Sequence, residues 1–362
     1  MKNHQQAKSW LDILQEQLKV DIDCMDPNET RRLLPFKPHD QTSNQRLPYE
    51  QMVAPENQEL FLETAKELKD KGWEAILEQM SAQLCAKHIA NIQGRVLLQT
   101  SASYAYDTEK IVTQARSYAR ELERVGITKN RICIKISCTG PALAASHILL
   151  KEGIRTLGTS LFSVAQAIAV SQAECLSISP YYNLPWYHSN PDLWPDVEDP
   201  ALEHPMTPRI IQIMQTYRRL ERETGRAQPM LKPASFKSAR EAMAMGELGC
   251  DHATIPEDIL QQLSLLRADT NPPPGYPYGS AHNGGIPARL AHLADTDPLA
   301  GRGWDAKLAR ADIDYLSDNG VALTETIEQD PVTARGLHEA LEAFKANEVQ
   351  SRVVIEEVLK QV

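Results

Sequence analysis

The chain has 362 residues and a formal net charge of -10, with 42% hydrophobic and 24% charged residues, the balance of an ordinary globular enzyme. The acidic balance gives no global electrostatic reason to expect nucleic acid or an anionic membrane as partner, and no apolar run reaches the roughly 18 residues of a membrane span. MKNHQQAKSW at the start carries no apolar signal core, and Cys24, Cys85, Cys133, Cys138, Cys175 and Cys250 form no CxxC pair. A cytoplasmic protein with free thiols is the expectation.

Residues 7–17 predict an opening helix, with Trp10, Leu11, Leu14 and Leu18 at near-helical spacing. LKVDID (18–23) alternates as a strand and is followed by a turn at Asp26, Pro27 and Asn28. A second strand is expected around 36–44, and 56–92 predicts one long helical stretch with a stripe from Leu60 to Leu77. From residue 93 a rhythm sets in. Strands at 94–99, 131–136, 154–159, 175–179, 229–234 and 251–255 alternate with helices at 107–125, 141–152, 163–172, 207–223, 236–248 and 256–266. Eight short strands separated by helices predict an α/β fold, a single (β/α)8 TIM barrel over 1–362. No glycine-rich fingerprint follows the first strand, which counts against a dinucleotide-binding sheet. The Pro/Gly-rich segment 271–290 reads as a loop near the barrel mouth or a mobile connection, and 331–361 reads as C-terminal helices packed across the barrel.

Strand parity then assigns faces. In RICIKI, Ile132, Ile134 and Ile136 share one face and Cys133 and Lys135 the other. Three isoleucines suit the face that packs on helices, so Lys135 points into the barrel near the strand's C-terminal end, where barrel enzymes keep their chemistry. The same parity groups Leu97 with Gln99, Asp21 with Asp23, and Cys175 with Ser177 and Ser179. Burial favours the neutral amine of a lysine, the form that attacks a carbonyl to give an iminium ion.

The ordered pieces KPHDQTSN (37–44), YDTE (106–109), GITKNRICIKISCT (126–139), EGI (152–154), LFSVAQA (161–167), ISPYYN (178–183), ASFK (234–237) and LGCDHATIPEDIL (248–260) resemble the transaldolase family. The resemblance implies that Lys135 is the Schiff-base lysine and Asp23 the proton-transfer aspartate, although an ungapped match selects Asp26. It implies Asn44 and Ser179 as substrate-binding groups and Thr159 as a holder of the catalytic water. Departures from the family pattern are Gln99 for a glutamate, Leu157 for an asparagine and Tyr181 for a phenylalanine. Together these resemble the fructose-6-phosphate aldolase branch, where a tyrosine, a glutamine and a threonine hold that water. Leu184 and Lys237 stand where the family has phosphate-binding arginines, and Arg46 is a candidate replacement.

The expected function is therefore a class I aldolase or transaldolase-like enzyme making or cleaving a C–C bond beside a ketone or aldehyde, on a non-phosphorylated or specialised sugar-like substrate. Ordinary transaldolase, a lysine-dependent isomerase or cyclase, and a non-catalytic metabolite binder stay open. The expected partner is a small carbonyl compound. No metal or cofactor is called for, because the iminium serves as electron sink; Asp40 and Asp107 read as solvated or capping carboxylates. Lys232, in MLKPAS, is a rival for the nucleophile.

Overall fold

The computed structural model describes residues 8–277, 285–301 and 304–362. Eight parallel strands form the barrel: β1 (Lys19–Ile22), β2 (Gln41–Thr42), β3 (Val96–Gln99), β4 (Ile132–Ser137), β5 (Thr156–Leu161), β6 (Ser177–Pro180), β7 (Met230–Leu231) and β8 (His252–Ile255). They pair in the order β7-β6-β5-β4-β3-β2-β1-β8. The remaining seam is drawn together by the Thr254 amide, which donates to the Pro233 carbonyl at 2.9 Å, and by the Leu231 amide, which donates to the Asp251 carboxylate at 2.7 Å.

The parity argument holds. Ile132, Ile134 and Ile136 pack outward with Val96 and Leu98 against Ile111, Ala115, Ala142 and Ala145 of the helices Thr108–Arg124 and Gly140–Lys151. On the other face Leu97, Cys133 and Leu157 form a small separate cluster, and the register places Gln99 and Leu157 on either side of Lys135. Polar caps end the strand-to-helix loops: Asp107, Thr139, Ser163 and Ser238 each accept a hydrogen bond from the amide three residues on. Each such cap is worth about 1 kcal/mol.

Two expectations need correction, and a third falls partly outside the described residues. The stretch 56–92 is two helices, Gln58–Glu67 and Trp73–His88, separated at Gly72, whose φ of 86° is left-handed; the apolar stripe continues across the break, so periodicity alone does not reveal it. The tail is one helix, Pro331–Leu359, capped by Asp330 and preceded by an unforeseen helix, Ser317–Gln329. Of the Pro/Gly-rich loop, 278–284 lies outside the described residues. The described flanks line no part of the barrel-mouth cavity; Arg289 instead ties this segment to Glu247 at 2.5 Å and Asp199 at 2.7 Å.

The long tail helix does cross the mouth. Ala340, Ala343 and Phe344 face the cavity there, and Glu348 accepts hydrogen bonds from Ser101 Oγ at 2.9 Å, the Ala102 amide at 2.6 Å and Ser103 Oγ at 2.8 Å in the loop after β3. No helix among the described residues is long and apolar enough to cross a membrane.

Candidate active site

Lys135 enters the barrel from β4 and is 6% exposed. Its Nζ donates to Thr42 Oγ1 at 3.0 Å and to the Ser43 carbonyl at 2.9 Å. Both acceptors are neutral, so they orient the amine without fixing its charge. Burial lowers the lysine pKa, and the nearby Asp23 carboxylate opposes that shift only in part. The amine faces a cavity of about 660 Å³ at the C-terminal end of the barrel. A larger groove of about 1290 Å³ runs beside the helix Thr207–Thr224, but no strand residue lines it.

Asp23 follows β1 and lines the same cavity. Its Oδ1 has no hydrogen-bond partner among the described residues. Desolvation raises its pKa against the pull of Lys135 and Arg46, which suits a carboxyl that must take up and release a proton. Asp26 is elsewhere engaged: its side chain accepts the Asn28 amide at 2.8 Å and caps the helix Pro27–Arg32. Of the two aspartates, only Asp23 is in the cavity lining.

Tyr181 closes one side of the cavity. Its hydroxyl accepts a hydrogen bond from Thr159 Oγ1 at 3.4 Å, and burial pushes its pKa up to about 12, so it stays protonated at neutral pH. Gln99 is buried beside Lys135 in the register, and neither amide atom has a partner among the described residues. Unsatisfied buried amides are expensive, so the pair of orphaned atoms marks a place where water or substrate is needed. Asn44, Arg46 and Lys237 line the cavity, whereas Gln99, Leu157, Thr159 and Ser179 are buried in the barrel and are not part of the lining.

Leu184 differs most from its expected place. It is 1% exposed, belongs to the main apolar cluster and precedes the short helix Pro185–Ser189. A ligand in the cavity does not meet Leu184; it meets the residues that this helix carries.

Lys232 has different surroundings from Lys135. Its Nζ lies 3.2 Å from Asp21 Oδ2 and also contacts the Asp40 carboxylate. Although burial opposes its charge, these two carboxylates raise its pKa. His252 Nδ1 lies 2.9 Å from Asp21, and His39 Nδ1 lies 2.9 Å from Asp40. Among the described residues Asp21, His39, Asp40 and His252 have the donor types and closeness of a metal site, and the ammonium of Lys232 lies against both carboxylates, offsetting one of their two charges. Asp107, the other carboxylate considered for a metal, is a helix cap.

Residues 20–301 match the family described as Transaldolase/Fructose-6-phosphate aldolase. The chain belongs to this family. A transaldolase of Prochlorococcus marinus is 28% identical over 265 residues, covering 70% of this chain and 75% of its own length. A transaldolase of a Synechocystis species is 29% identical over 269 residues, covering 71% of this chain and 66% of its own. A solved chain from Aquifex aeolicus VF5 covers 70% of this chain and 90% of its own at 12% identity and a TM-score of 0.39, too distant a likeness to carry an argument. The transaldolase-family chain is thus an enzyme of the Schiff-base aldolase and transferase type.

The far end of the cavity holds residues that sequence reasoning missed: His188, Trp194, Ser235, Asp258 and Phe344. His188 Nε2 lies 2.7 Å from Ser235 Oγ, and Ser235 Oγ donates to the Asn183 carbonyl at 2.9 Å. Beneath them Glu241 accepts from Asn183 Nδ2 at 2.7 Å and Trp194 Nε1 at 2.8 Å. The two cavity cations both have company. Lys237 Nζ sits 5.1 Å over the Trp194 ring, and Arg46 pairs with Glu50 at 2.9 Å. Phe344 lies in the middle of the tail helix, while the others stand on loops and first helical turns, where no periodicity announces them; Ser235 and Asp258 fall inside the ASFK and LGCDHATIPEDIL pieces, and His188 lies just beyond PYYN.

Proposed function

We propose that this enzyme makes or cleaves a C–C bond beside a ketone or aldehyde through a Schiff base on Lys135, with an acceptor that carries no phosphate. The neutral amine adds to the donor carbonyl, forming the C–N bond of a carbinolamine. Loss of water then leaves an iminium ion. That cation draws in the electron pair released when the neighbouring C–C bond breaks and the acceptor leaves as an aldehyde; condensation is the reverse. Asp23 shuttles the proton in carbinolamine formation and loss. Tyr181, through a water held with Thr159 and Gln99, handles the proton of the acceptor hydroxyl. Gln99, an amide, orients without acting as a base.

One observation carries this reading: a buried lysine with depressed pKa and only neutral hydrogen-bond partners shares a cavity with a carboxyl oxygen that lacks any partner among the described residues. Borohydride reduction in the presence of candidate ketones and aldehydes, read by peptide mass, tests it. A stable adduct on the Lys135 peptide is the expected result, and an adduct confined to any other lysine defeats it.

The phosphate-free acceptor is supported by the cavity's charges. Lys237 is held over an aromatic ring, Arg46 is ion-paired, and the Asp258 carboxylate shares the lining with both. Ordinary transaldolase chemistry on sugar phosphates is the second reading, favoured by the presence of those same two cations and by the relatives named transaldolase. Catalytic efficiency on paired aldehydes that differ only in the phosphate separates them. A phosphorylated aldehyde favoured by about a hundredfold, with the preference weakened by salt, selects the second.

A further inference from the structure

We propose that His188 selects the acceptor: its Nδ1 takes a hydrogen bond from an acceptor hydroxyl, at a position where a phosphate would set lone pair against lone pair. This deepens the reading of the cavity as an aldol site and rests on it.

The argument starts from one proton. Ser235 Oγ has a single hydrogen, and its geometry commits that hydrogen to the Asn183 carbonyl at 2.9 Å. Towards His188, 2.7 Å away, Ser235 can therefore only accept. The proton between them belongs to His188 Nε2, and in the neutral ring the other nitrogen is then an acceptor. Nδ1 makes no hydrogen bond to the described residues, and the exposed ring lines the cavity, so this acceptor is open to solvent or ligand. The ring is exposed on its outer side, and partial desolvation with the nearby cations Lys237 and Arg46 lowers its pKa.

The backbone beneath is built to hold this tautomer. Ser235 sits at a φ of 69°, an uncommon setting for a residue with a side chain. Asn183 Nδ2 donates both to the Ser235 carbonyl at 2.9 Å and to Glu241 at 2.7 Å, which anchors the loop carrying the serine. Asp258, on the same lining, adds a carboxylate. An imidazole acceptor and a carboxylate both welcome hydroxyl donors, and both disfavour a phosphate, which offers oxygens and negative charge. The substrate class that fits is a neutral, hydroxylated aldehyde.

The test uses the full chain and three aldehydes: one hydroxylated, its deoxy analogue, and its phosphate ester. His188→Phe removes both ring nitrogens, and His188→Asn keeps an acceptor oxygen near the position of Nδ1. The readout is the ratio of kcat/KM for the hydroxylated aldehyde over each of the others. In His188→Phe the hydroxylated-over-deoxy ratio should fall about tenfold, mostly through KM, the loss of one hydrogen bond. The hydroxylated-over-phosphate ratio should fall with it, and His188→Asn should recover most of the first ratio. A wild-type preference for the phosphate ester, an unchanged ratio in His188→Phe, or an equal loss on hydroxylated and deoxy aldehydes overturns the inference. Borohydride trapping of the donor by the wild type reports separately on the aldol reading, so failure of one is distinguishable from failure of the other.

Discussion

Lys232→Met and Lys135→Met make the sharpest pair of perturbations, because the two buried lysines are expected to respond with opposite economies of charge. Methionine keeps the length and apolar stem of lysine, so the comparison isolates the ammonium. At position 232 that ammonium lies 3.2 Å from Asp21 and touches Asp40, with all three side chains 2–3% exposed. Removing one partner of a buried pair costs about 3–5 kcal/mol, a large share of a total stability of roughly 5–15 kcal/mol. The remaining contacts of Asp40 with His39 and with the Arg95 amide at 2.7 Å limit the damage but do not replace the charge. At position 135 the ammonium has only neutral hydrogen-bond acceptors, and burial already disfavours it. Its loss is therefore expected to change stability by no more than about 1 kcal/mol, the net worth of the two hydrogen bonds set against the relief of desolvation. Urea unfolding measures both, and borohydride trapping on the folded protein gives the functional arm. Lys135→Met should lose the adduct and keep its stability; Lys232→Met should keep the adduct and lose stability. The sign with pH follows from the shifts. Lys232 has a raised pKa, so its contribution is complete below the free lysine value of about 10.4 and is lost as pH rises through the folded value. For Asp40, burial alone would raise the pKa, but the His39 and Lys232 partners hold it low, so its contribution exists above about 3.9 and is lost as pH falls through the folded value. The Lys232→Met deficit should be widest near neutrality and shrink in acid. Equal destabilisation by the two substitutions, or a Lys232→Met cost under about 1 kcal/mol, would refute the charge assignment.

The remaining expectations concern the cavity. The rate of imine trapping should rise with pH about a midpoint below the free lysine value of roughly 10.4, because burial lowers the Lys135 pKa; a midpoint at or above that value contradicts it. Asp23→Asn preserves shape and removes proton transfer, so kcat should fall by about 10²–10⁴ while the protein stays folded; unimpaired turnover would remove Asp23 from the mechanism. Tyr181→Phe keeps the edge-on contact with Phe162 at 5.4 Å and should slow turnover at least tenfold, by roughly 1.4 kcal/mol or more, without a comparable loss in thermal stability. Leu184→Arg places a cation where the wall is 1% exposed, so a melt should show a loss of several kcal/mol, about 3 or more, and no phosphate preference should appear.

The barrel was legible because its middle strands alternate so plainly. ICIKIS and TLGTSL are each buried along their whole length, and parity alone turned Lys135 inward. The shortest strands were less legible. β2 and β7 have two residues each, too few for a period, and their positions are set by neighbours in the sheet. The break at Gly72 and the helix Ser317–Gln329 escaped for a related reason: a continuous apolar stripe hides a change of axis, and three left-handed residues, Asp318, Asn319 and Gly320, interrupt the second.

The site divides along the same line between what a strand's parity states and what only depth in the barrel decides. Asp21 and Asp23 share a face two residues apart, a step of roughly 6–7 Å along the strand. Both point inward, and both stand across from a lysine that also points inward. Asp21 lies at the floor and, with Asp40, holds Lys232 charged. Asp23 lies at the mouth, keeps one oxygen without a partner among the described residues, and faces a Lys135 whose amine burial favours as neutral. Residue type and alternation are identical in the two pairs, so the sequence alone could offer Lys232 as a rival. What separates them is the second carboxylate: Asp40 arrives from the segment before β2 with an oxygen on the floor lysine, and no described residue supplies its equivalent at the mouth. A lysine with two carboxylates is a counter-ion, while a lysine with one unsettled carboxylate and an open cavity has a proton to lose and a carbonyl to meet.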